Sequence, residues 1–248
     1  ENLLNDTDNM LKKARDKLAN QVNKEYLTFK QNVEDMKKEF LSNIPDKIEG
    51  TIKEEIEETN KAQSILEIFF NKCKGFKIEE EVVKNGLTLF KDYLPIIIEV
   101  NKDLLEVEEQ IKSLSKIWEI KKQMNLIVYD WCHSPFYSFD LEKMGEERQS
   151  IENDLITKCK DMKTRQIYIH MKDQLELYSS VFAVLHLLKH EAMNRQSHWD
   201  KIQNIISDSK LNPNAEDFNF ERILELKFEQ HHAAIEQLVE YAKEQQKV

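Results

Sequence analysis

Long stretches of this chain contain no residue that would end a helix. Its 248 residues include only four glycines and four prolines, the two residue types that disrupt helices most. Elsewhere apolar residues recur every three or four positions, the spacing of one helix face. The longest such stripe, in residues 8–41, consists of Leu11, Ala14, Leu18, Val22, Tyr26, Phe29, Val33, Met36 and Phe40. The sequence predicts an all-α protein, an elongated array of long helices that form consecutive helical bundles.

Composition excludes several classes of function. The formal net charge of −10 argues against non-specific nucleic-acid binding, which needs a basic face. No apolar run approaches the roughly 20 residues of a membrane-spanning helix. The cysteines are three and show no paired spacing (Cys73, Cys132 and Cys159), so we expect them to be reduced and buried, in a cytoplasmic protein.

The first half of the chain is predicted to contain several helices separated by Pro and Gly. Pro45 is expected at or just before the first turn of a second helix that runs to about Lys72. Lys74–Phe76 and Asn85-Gly86 are predicted turns, with a short helix between them. Residues 96–131 have the stripe of another long helix.

In the second half, Ser138 or Asp140 is a candidate cap for a helix that runs through Cys159. Ile167, Ile169 and Met171 then alternate for a few residues, as in a strand. We predict a helix there because no partner strand is visible anywhere in the chain.

The stretch from residue 181 to residue 202 predicts one amphipathic helix. Its stripe consists of Val181, Leu185, Leu188, Ala192, Arg195, Trp199 and Ile202. The guanidinium of Arg195 is expected over the indole of Trp199, with Glu191 one turn before it as an ion-pair partner. His198 flanks the stripe. We expect Trp199 to be buried against the segment from Trp118 to Trp131 or against the last helix.

No catalytic or cofactor site is predicted. A Gly-rich phosphate loop is missing. His186 and His190 have the spacing of a helical metal pair, but Leu187 stands where a zinc protease has its glutamate. The acidic runs Glu54-Glu55, Glu57-Glu58 and Glu79-Glu80-Glu81 are expected to be solvated faces.

Several short motifs stand in an order found in one protein family. His190-Glu191-Ala192-Met193, Arg195 and His198-Trp199 resemble the signature of the N-terminal linker region of dynein heavy chains. The other matching motifs are Gly86-Leu87, Tyr93-Leu94-Pro95, Lys116–Ile120, Trp131, Pro135-Phe136, Phe139–Met144, Ile223–Leu226 and Lys243-Glu244. They cover about Leu66 to Lys247. One departure is Ser197, where a basic residue is usual directly before His-Trp.

The resemblance implies a piece of an ATP-driven microtubule motor, with residues 1–65 as a helical tail or neck segment and residues 66–248 as the N-terminal part of the linker. Its structural signature would be Trp118, Trp131, Phe136, Glu191, Arg195, His198 and Trp199. The segment would join the tail to the motor ring and transmit force, with no catalytic site, cofactor or metal of its own.

The family also implies where the segment works and with what. ATP and Mg²⁺ would bind later in the parent chain. Other heavy, intermediate and light chains would be partners, and the microtubule or axoneme would be contacted through other regions. We expect a cytoskeletal location, in the axoneme of a cilium or flagellum. The alternative is a free-standing helical scaffold or coiled-coil adaptor.

Overall fold

The structure, a computed structural model, describes residues 2–94 and 101–246. Those ranges contain helices and no β-strand, which confirms the all-α prediction. The α-helices are α1 (Asn2–Ser42), α2 (Ile52–Leu89), α3 (Lys102–His133), α4 (Leu141–Lys158), α5 (Gln166–Leu188), α6 (Gln196–Ile206), α7 (Phe220–Glu225) and α8 (His232–Gln246). Short 3₁₀ helices lie at Phe136–Ser138, Lys160–Met162, Glu191–Met193 and Phe228–His231. No helix in the described ranges is long and apolar enough to cross a membrane.

The chain divides into two compact units. The first comprises Glu1–Pro45 with Lys61–Ser115, and the second comprises Asp46–Asn60 with Lys116–Val248. Each unit has a core of its own. The predicted boundary between a tail or neck segment and a linker, between residues 65 and 66, does not coincide with the boundaries of these two units. That functional boundary stays a prediction.

In the first unit, α1 forms as predicted, but only half of its apolar stripe is buried. The buried members are Phe29, Val33, Met36 and Phe40. Phe40 meets Phe69 of α2 edge to face at 5.2 Å between ring centroids, a favourable geometry for aromatic rings. Toward the N-terminus the same stripe is exposed, with Leu11 64% and Leu18 53% accessible.

The two glycine turns predicted in α2 are wrong, because the helix continues through both glycines. A glycine costs about 1 kcal/mol in a helix interior, whereas burying a Leu or Phe side chain contributes about 1.5–3 kcal/mol. Phe76, next to Gly75, packs against Phe29, and Leu87, next to Gly86, is buried. A Cβ added to Gly86 would lie 3.4 Å from Val22, an ordinary van der Waals distance, so α1 passes close to this position.

The predicted start of α2 at Pro45 is also wrong. The helix begins at Ile52, where Thr51 and Glu54 form a reciprocal cap. The Thr51 N–H donates to Glu54 Oε2 at 2.7 Å, and the Glu54 N–H donates to Thr51 Oγ1 at 3.4 Å. Gly50, with φ of 114°, turns the chain into this cap, in a region of backbone conformation that favours glycine.

In the second unit, two local predictions are confirmed. Asp140 caps α4 by accepting a hydrogen bond from the Lys143 N–H at 3.1 Å. The stretch from Ile167 to Met171 belongs to the helix α5 and not to a strand.

The single helix predicted for residues 181–202 is wrong. α5 ends at Leu188 and α6 begins at Gln196, with a 3₁₀ turn between them. The Met193 carbonyl accepts a hydrogen bond from Trp199 Nε1 at 3.1 Å, and Lys189 Nζ donates to the carbonyls of Tyr137 and Phe139. A continuous helix would use the Met193 carbonyl within its own ladder. The local bond from Trp199 and the long-range bonds of Lys189 therefore stabilise the break.

Candidate functional site

The second unit is centred on aromatic side chains that several helices contribute. Trp199 of α6 is 2% exposed, which confirms its predicted burial. Its indole meets Phe136 and Phe218 edge to face at 5.5 and 6.0 Å. α6 also packs against α8, the last helix and one of the two predicted partners. The rings around Trp199 thus come from the segments that follow α3 and precede α7.

Trp131 at the end of α3 organises a neighbouring group of rings. Its ring centroid lies 5.9 Å from Tyr178, 5.2 Å from Phe182 and 5.3 Å from Phe220, each edge to face. Its Nε1 donates to Glu147 Oε2 at 2.9 Å, so the buried indole has a polar partner. Trp131 therefore ties α3 to α4, α5 and α7.

The structure separates the residues of the predicted signature into two sets. The buried members are Trp118, Trp131, Phe136, His198 and Trp199. Glu191 and Arg195 are exposed. Arg195 stands directly before the first residue of α6, not one helical turn before Trp199 as expected. Their role as a family signature stays a prediction.

An ion pair in the second unit was missed by the sequence prediction. Lys121 Nζ of α3 lies 2.6 Å from Glu55 Oε2 of α2, and the two side chains are 1% and 5% exposed. Gln174 of α5 donates to Glu55 Oε1 at 2.8 Å and accepts from Lys121 at 2.8 Å. His170 Nε2 lies 2.9 Å from the same Glu55 oxygen. One carboxylate therefore joins α2, α3 and α5.

Two further residues extend this network along α2 and α3. Thr59 Oγ1 donates to the Glu55 carbonyl at 2.7 Å, and Asn125 Nδ2 donates to Thr59 Oγ1 at 2.9 Å. The expectation of a solvated acidic face is thus wrong at Glu55. A sequence signal did exist, since Lys121 and Asn125 fall within the helical stripe of Leu114, Trp118 and Val128.

The surroundings of the pair determine its ionisation. Burial on its own would raise the pKa of Glu55, but the hydrogen bond with His170, the charge and hydrogen bond of Lys121, and the Gln174 amide together lower this pKa to about 2. Burial lowers the pKa of Lys121, and the Glu55 charge opposes that shift. The carboxylate is the better stabilised partner, because three side chains converge on it.

We expect the second unit to lose stability in acid because of Glu55. Its folded-state pKa of about 2 lies below the ordinary value of 4.5, so its contribution is present above pH 4.5 and is lost as the pH falls toward 2. Between pH 6 and 3 this amounts to about 2 kcal/mol of unfolding free energy. Urea titrations at several pH values should show that Glu55→Gln flattens this part of the profile. An unchanged acid slope in the variant would contradict the assignment.

The arrangement of these residues supports a structural role, which is to hold the helices together. Glu55 and Lys121 are both occupied by neighbouring side chains. The described residues contain no cluster of three or more His, Cys, Asp or Glu side chains suited to a metal ion. The cysteines Cys73, Cys132 and Cys159 are free and buried as predicted, and burial raises the pKa of Cys132 to about 12.

The sequence of this chain is similar to those of known proteins. Residues 104–248 match the family described as dynein heavy chain, N-terminal region 2. The chain is 23% identical over 229 residues to the dynein-1-beta heavy chain of the flagellar inner arm I1 complex of Chlamydomonas reinhardtii. The aligned residues make up 92% of this chain and 5% of that protein. It is 26% identical over 155 residues to human dynein axonemal heavy chain 2, covering 62% of this chain and 3% of the relative. The dynein beta chain of the Chlamydomonas reinhardtii flagellar outer arm is 20% identical over 178 residues, which are 69% of this chain and 4% of that protein.

Proposed function

This chain belongs to the dynein heavy chain family, and from that membership we propose that it forms a helical neck and linker segment, which connects the tail of a heavy chain to its motor ring and transmits force. Residues 1–65 would be the tail or neck segment, and residues 66–248 the N-terminal part of the linker. The segment would have no catalytic site of its own.

The observation that carries this proposal is the match of residues 104–248 to an N-terminal region of the heavy chain. The chain spans only 3–5% of the length of the relatives described above, so ATP hydrolysis and microtubule binding are assigned to other parts of a parent chain. The match also favours the motor over the free-standing adaptor.

The helices of this segment support a mechanical role. α2 has 38 residues and α3 has 32, which corresponds to roughly 57 and 48 Å at the α-helical rise. In the second unit the Glu55–Lys121 pair joins α2 to α3, and Gln174 connects that pair to α5. The contact of Trp131 with Phe182 joins α3 to α5 as well. Because interiors packed in this way deform little, displacement of one helix is passed to its neighbours.

The named relatives support an axonemal setting. They are flagellar and axonemal heavy chains, and one is named as part of an inner-arm complex. We assign this chain to the cytoskeleton of a cilium or flagellum on that basis. Its partners would be other heavy, intermediate and light chains of the same dynein.

The isolated chain should neither bind nor hydrolyse ATP, because its sequence has no Gly-rich loop to hold phosphates. Calorimetric titration with Mg·ATP should give only heats of dilution, whereas an intact axonemal heavy chain in the same buffer should bind. Saturable binding by the isolated chain at micromolar ATP would contradict the proposal.

Force transmission is tested by replacing the matched segment in the dynein-1-beta heavy chain of Chlamydomonas reinhardtii. A flexible Gly-Ser segment of equal length should leave the ATPase rate largely intact and abolish microtubule gliding, because a random coil cannot carry load. Replacement by this chain is the matched control and should preserve gliding better. Gliding at wild-type velocity with the Gly-Ser segment would overturn the proposal.

A further inference from the structure

Thr164 lies on the exposed loop between α4 and α5. Two buried side chains, those of Cys159 and Met162, anchor this loop in the second unit. The Thr164 side chain is exposed and belongs to no helix, and its neighbours Lys163 and Arg165 are cationic. The loop therefore presents a hydroxyl group to solvent with a positive charge on each side.

The loop is a basic part of an acidic chain. The whole chain has a formal net charge of −10, whereas residues 158–165 contain four Lys or Arg and one Asp. Such a segment complements a partner with an acidic binding groove, because complementary charge gives an interaction its specificity. Kinases that act on basic substrates have a groove of this kind. We propose that Thr164 is a phosphorylation site for a Ser/Thr kinase that selects basic residues on both sides of the hydroxyl group.

Phosphorylation joins the γ-phosphoryl group of Mg·ATP to Oγ1 of Thr164. The Oγ1–P bond forms while the bond from the γ-phosphorus to the β–γ bridging oxygen breaks, the hydroxyl proton passes to the catalytic base of the kinase, and ADP leaves. The product is a phosphothreonine with a charge of about −1.5 to −2 at pH 7 and three acceptor oxygens. The modification therefore adds a strong anion to a loop whose charges are mostly positive.

Two other hydroxyl groups with cationic neighbours lie inside a helix. Ser150, two residues after Arg148, and Thr157, directly before Lys158, both belong to α4. A kinase binds the acceptor segment in an extended form, so part of α4 would have to unfold before either residue could react. Loops open at a lower free energy than packed helices. The structure therefore favours Thr164 over these two residues.

A phosphate on Thr164 would stabilise the start of α5. This helix has 23 residues, and its first turn has neither an acidic side chain nor a side-chain cap from Arg165. The N-terminus of a helix carries a positive partial charge of about half an elementary charge, so a nearby anion is favourable. Thr164 stands two residues before Gln166, the first residue of α5. The phosphate would therefore lie within about one turn of that charge.

Asp46 already lies at this end of α5. Its Oδ1 accepts a hydrogen bond from the Ile167 N–H at 3.5 Å, and its Oδ2 lies 3.9 Å from Nη1 of Arg165. Both distances are long for such contacts, so Asp46 satisfies the helix end only weakly. A phosphate has more charge and more acceptor oxygens, and the cations Lys163 and Arg165 offset its repulsion with Asp46.

The stabilised helix is the one that Gln174 connects to the Glu55–Lys121 pair. α5 also packs against α4 and α8. We therefore expect phosphorylation of Thr164 to raise the stability of the second unit. This effect does not depend on the proposed mechanical role, because both the modification and the unfolding are measured on the chain alone.

Phosphorylation is tested on the 248-residue chain with Mg·ATP and protein kinase C, a kinase that selects basic residues on both sides of the acceptor. Peptide mass spectrometry should place the phosphate on Thr164, and Thr164→Val should not be modified there. Lys163→Gln with Arg165→Gln should slow the reaction severalfold, because the cations that bind the kinase are lost. A chain that takes up no phosphate, or takes it up elsewhere with Thr164 unmodified, would overturn the proposal.

Urea titration followed by tryptophan fluorescence measures the effect on the second unit, which contains all of the chain's tryptophans. The phosphorylated chain should unfold at a urea concentration about 0.2–0.5 M higher than the unmodified chain, and Thr164→Glu should shift the midpoint in the same direction by less. The matched control is Thr157→Glu, which adds a charge beside Lys158 on the exposed last turn of α4. An anion at a helix C-terminus is unfavourable, so this midpoint should not rise. No rise in the phosphorylated chain, or an equal rise in Thr157→Glu, refutes the proposed stabilisation.

Discussion

Trp199→Ala should lower the unfolding free energy of the second unit by about 3–5 kcal/mol, the usual cost of truncating a buried tryptophan. The indole is 2% exposed, and its loss removes the edge-to-face contacts with Phe136 and Phe218. It also leaves the Met193 carbonyl without the Nε1–H donor that holds the turn before α6. A typical domain is stable by only about 5–15 kcal/mol, so this loss is a large part of the total.

The measurement is a urea titration followed by tryptophan fluorescence. All of the chain's tryptophans, at 118, 131 and 199, lie in the second unit, so the remaining two report on that unit alone. Tyr129→Ala is the matched control, because this aromatic of the same unit is 45% exposed and should cost less than about 1 kcal/mol. Equal losses in the two variants would show that Trp199 is not part of a close-packed core.

Lys121→Met should destabilise the second unit by about 3–5 kcal/mol, the range measured when one partner of a buried ion pair is removed. The Glu55 carboxylate would remain in the interior with only His170 and Gln174 as side-chain partners. The loss should shrink in acid, as protonation removes the unpaired charge from the interior.

A double variant separates the charge from the packing. Glu55→Met with Lys121→Met replaces both charges by apolar chains of similar length, and such replacements are commonly neutral or stabilising. We expect its stability to lie within about 1 kcal/mol of the wild type or above it. Lys158→Met, which removes an exposed pair with Asp154 in the same unit, is the control and should cost less than about 1 kcal/mol. A Lys121→Met loss no larger than that control would contradict a desolvated pair.

The local predictions that the structure confirms rest on short-range physics. The helix α1, which has 41 residues, follows from an uninterrupted stripe between Leu11 and Phe40. The Asp140 cap follows from a side chain that can reach the N–H of Lys143. The burial of Trp199 follows from its place in an apolar stripe. Each depends on residues within a few turns of one another, so a pattern in the sequence is sufficient.

The turns predicted at Gly75 and Gly86 were wrong for the opposite reason. The preference of a glycine for turns is worth about 1 kcal/mol, and the packing of neighbouring side chains such as Phe76 and Leu87 outweighs it. The break between α5 and α6 was missed because it depends on bonds to distant carbonyls, such as that from Lys189 to Tyr137. A stripe with steps of three and four does not reveal where such bonds will form.

By itself the sequence determined the all-α class, the presence of the long helix α1 and the burial of Trp199, because helix periodicity and the scarcity of breakers act within each segment. It also carried the ordered motifs that resemble dynein heavy chains. Only the tertiary structure decided that Glu55 is buried against Lys121, since desolvation depends on which helices pack together. It alone decided that the apolar positions of α2 face both the core and solvent. Identical residue types acquire different roles because burial belongs to the assembled helices and not to any one of them.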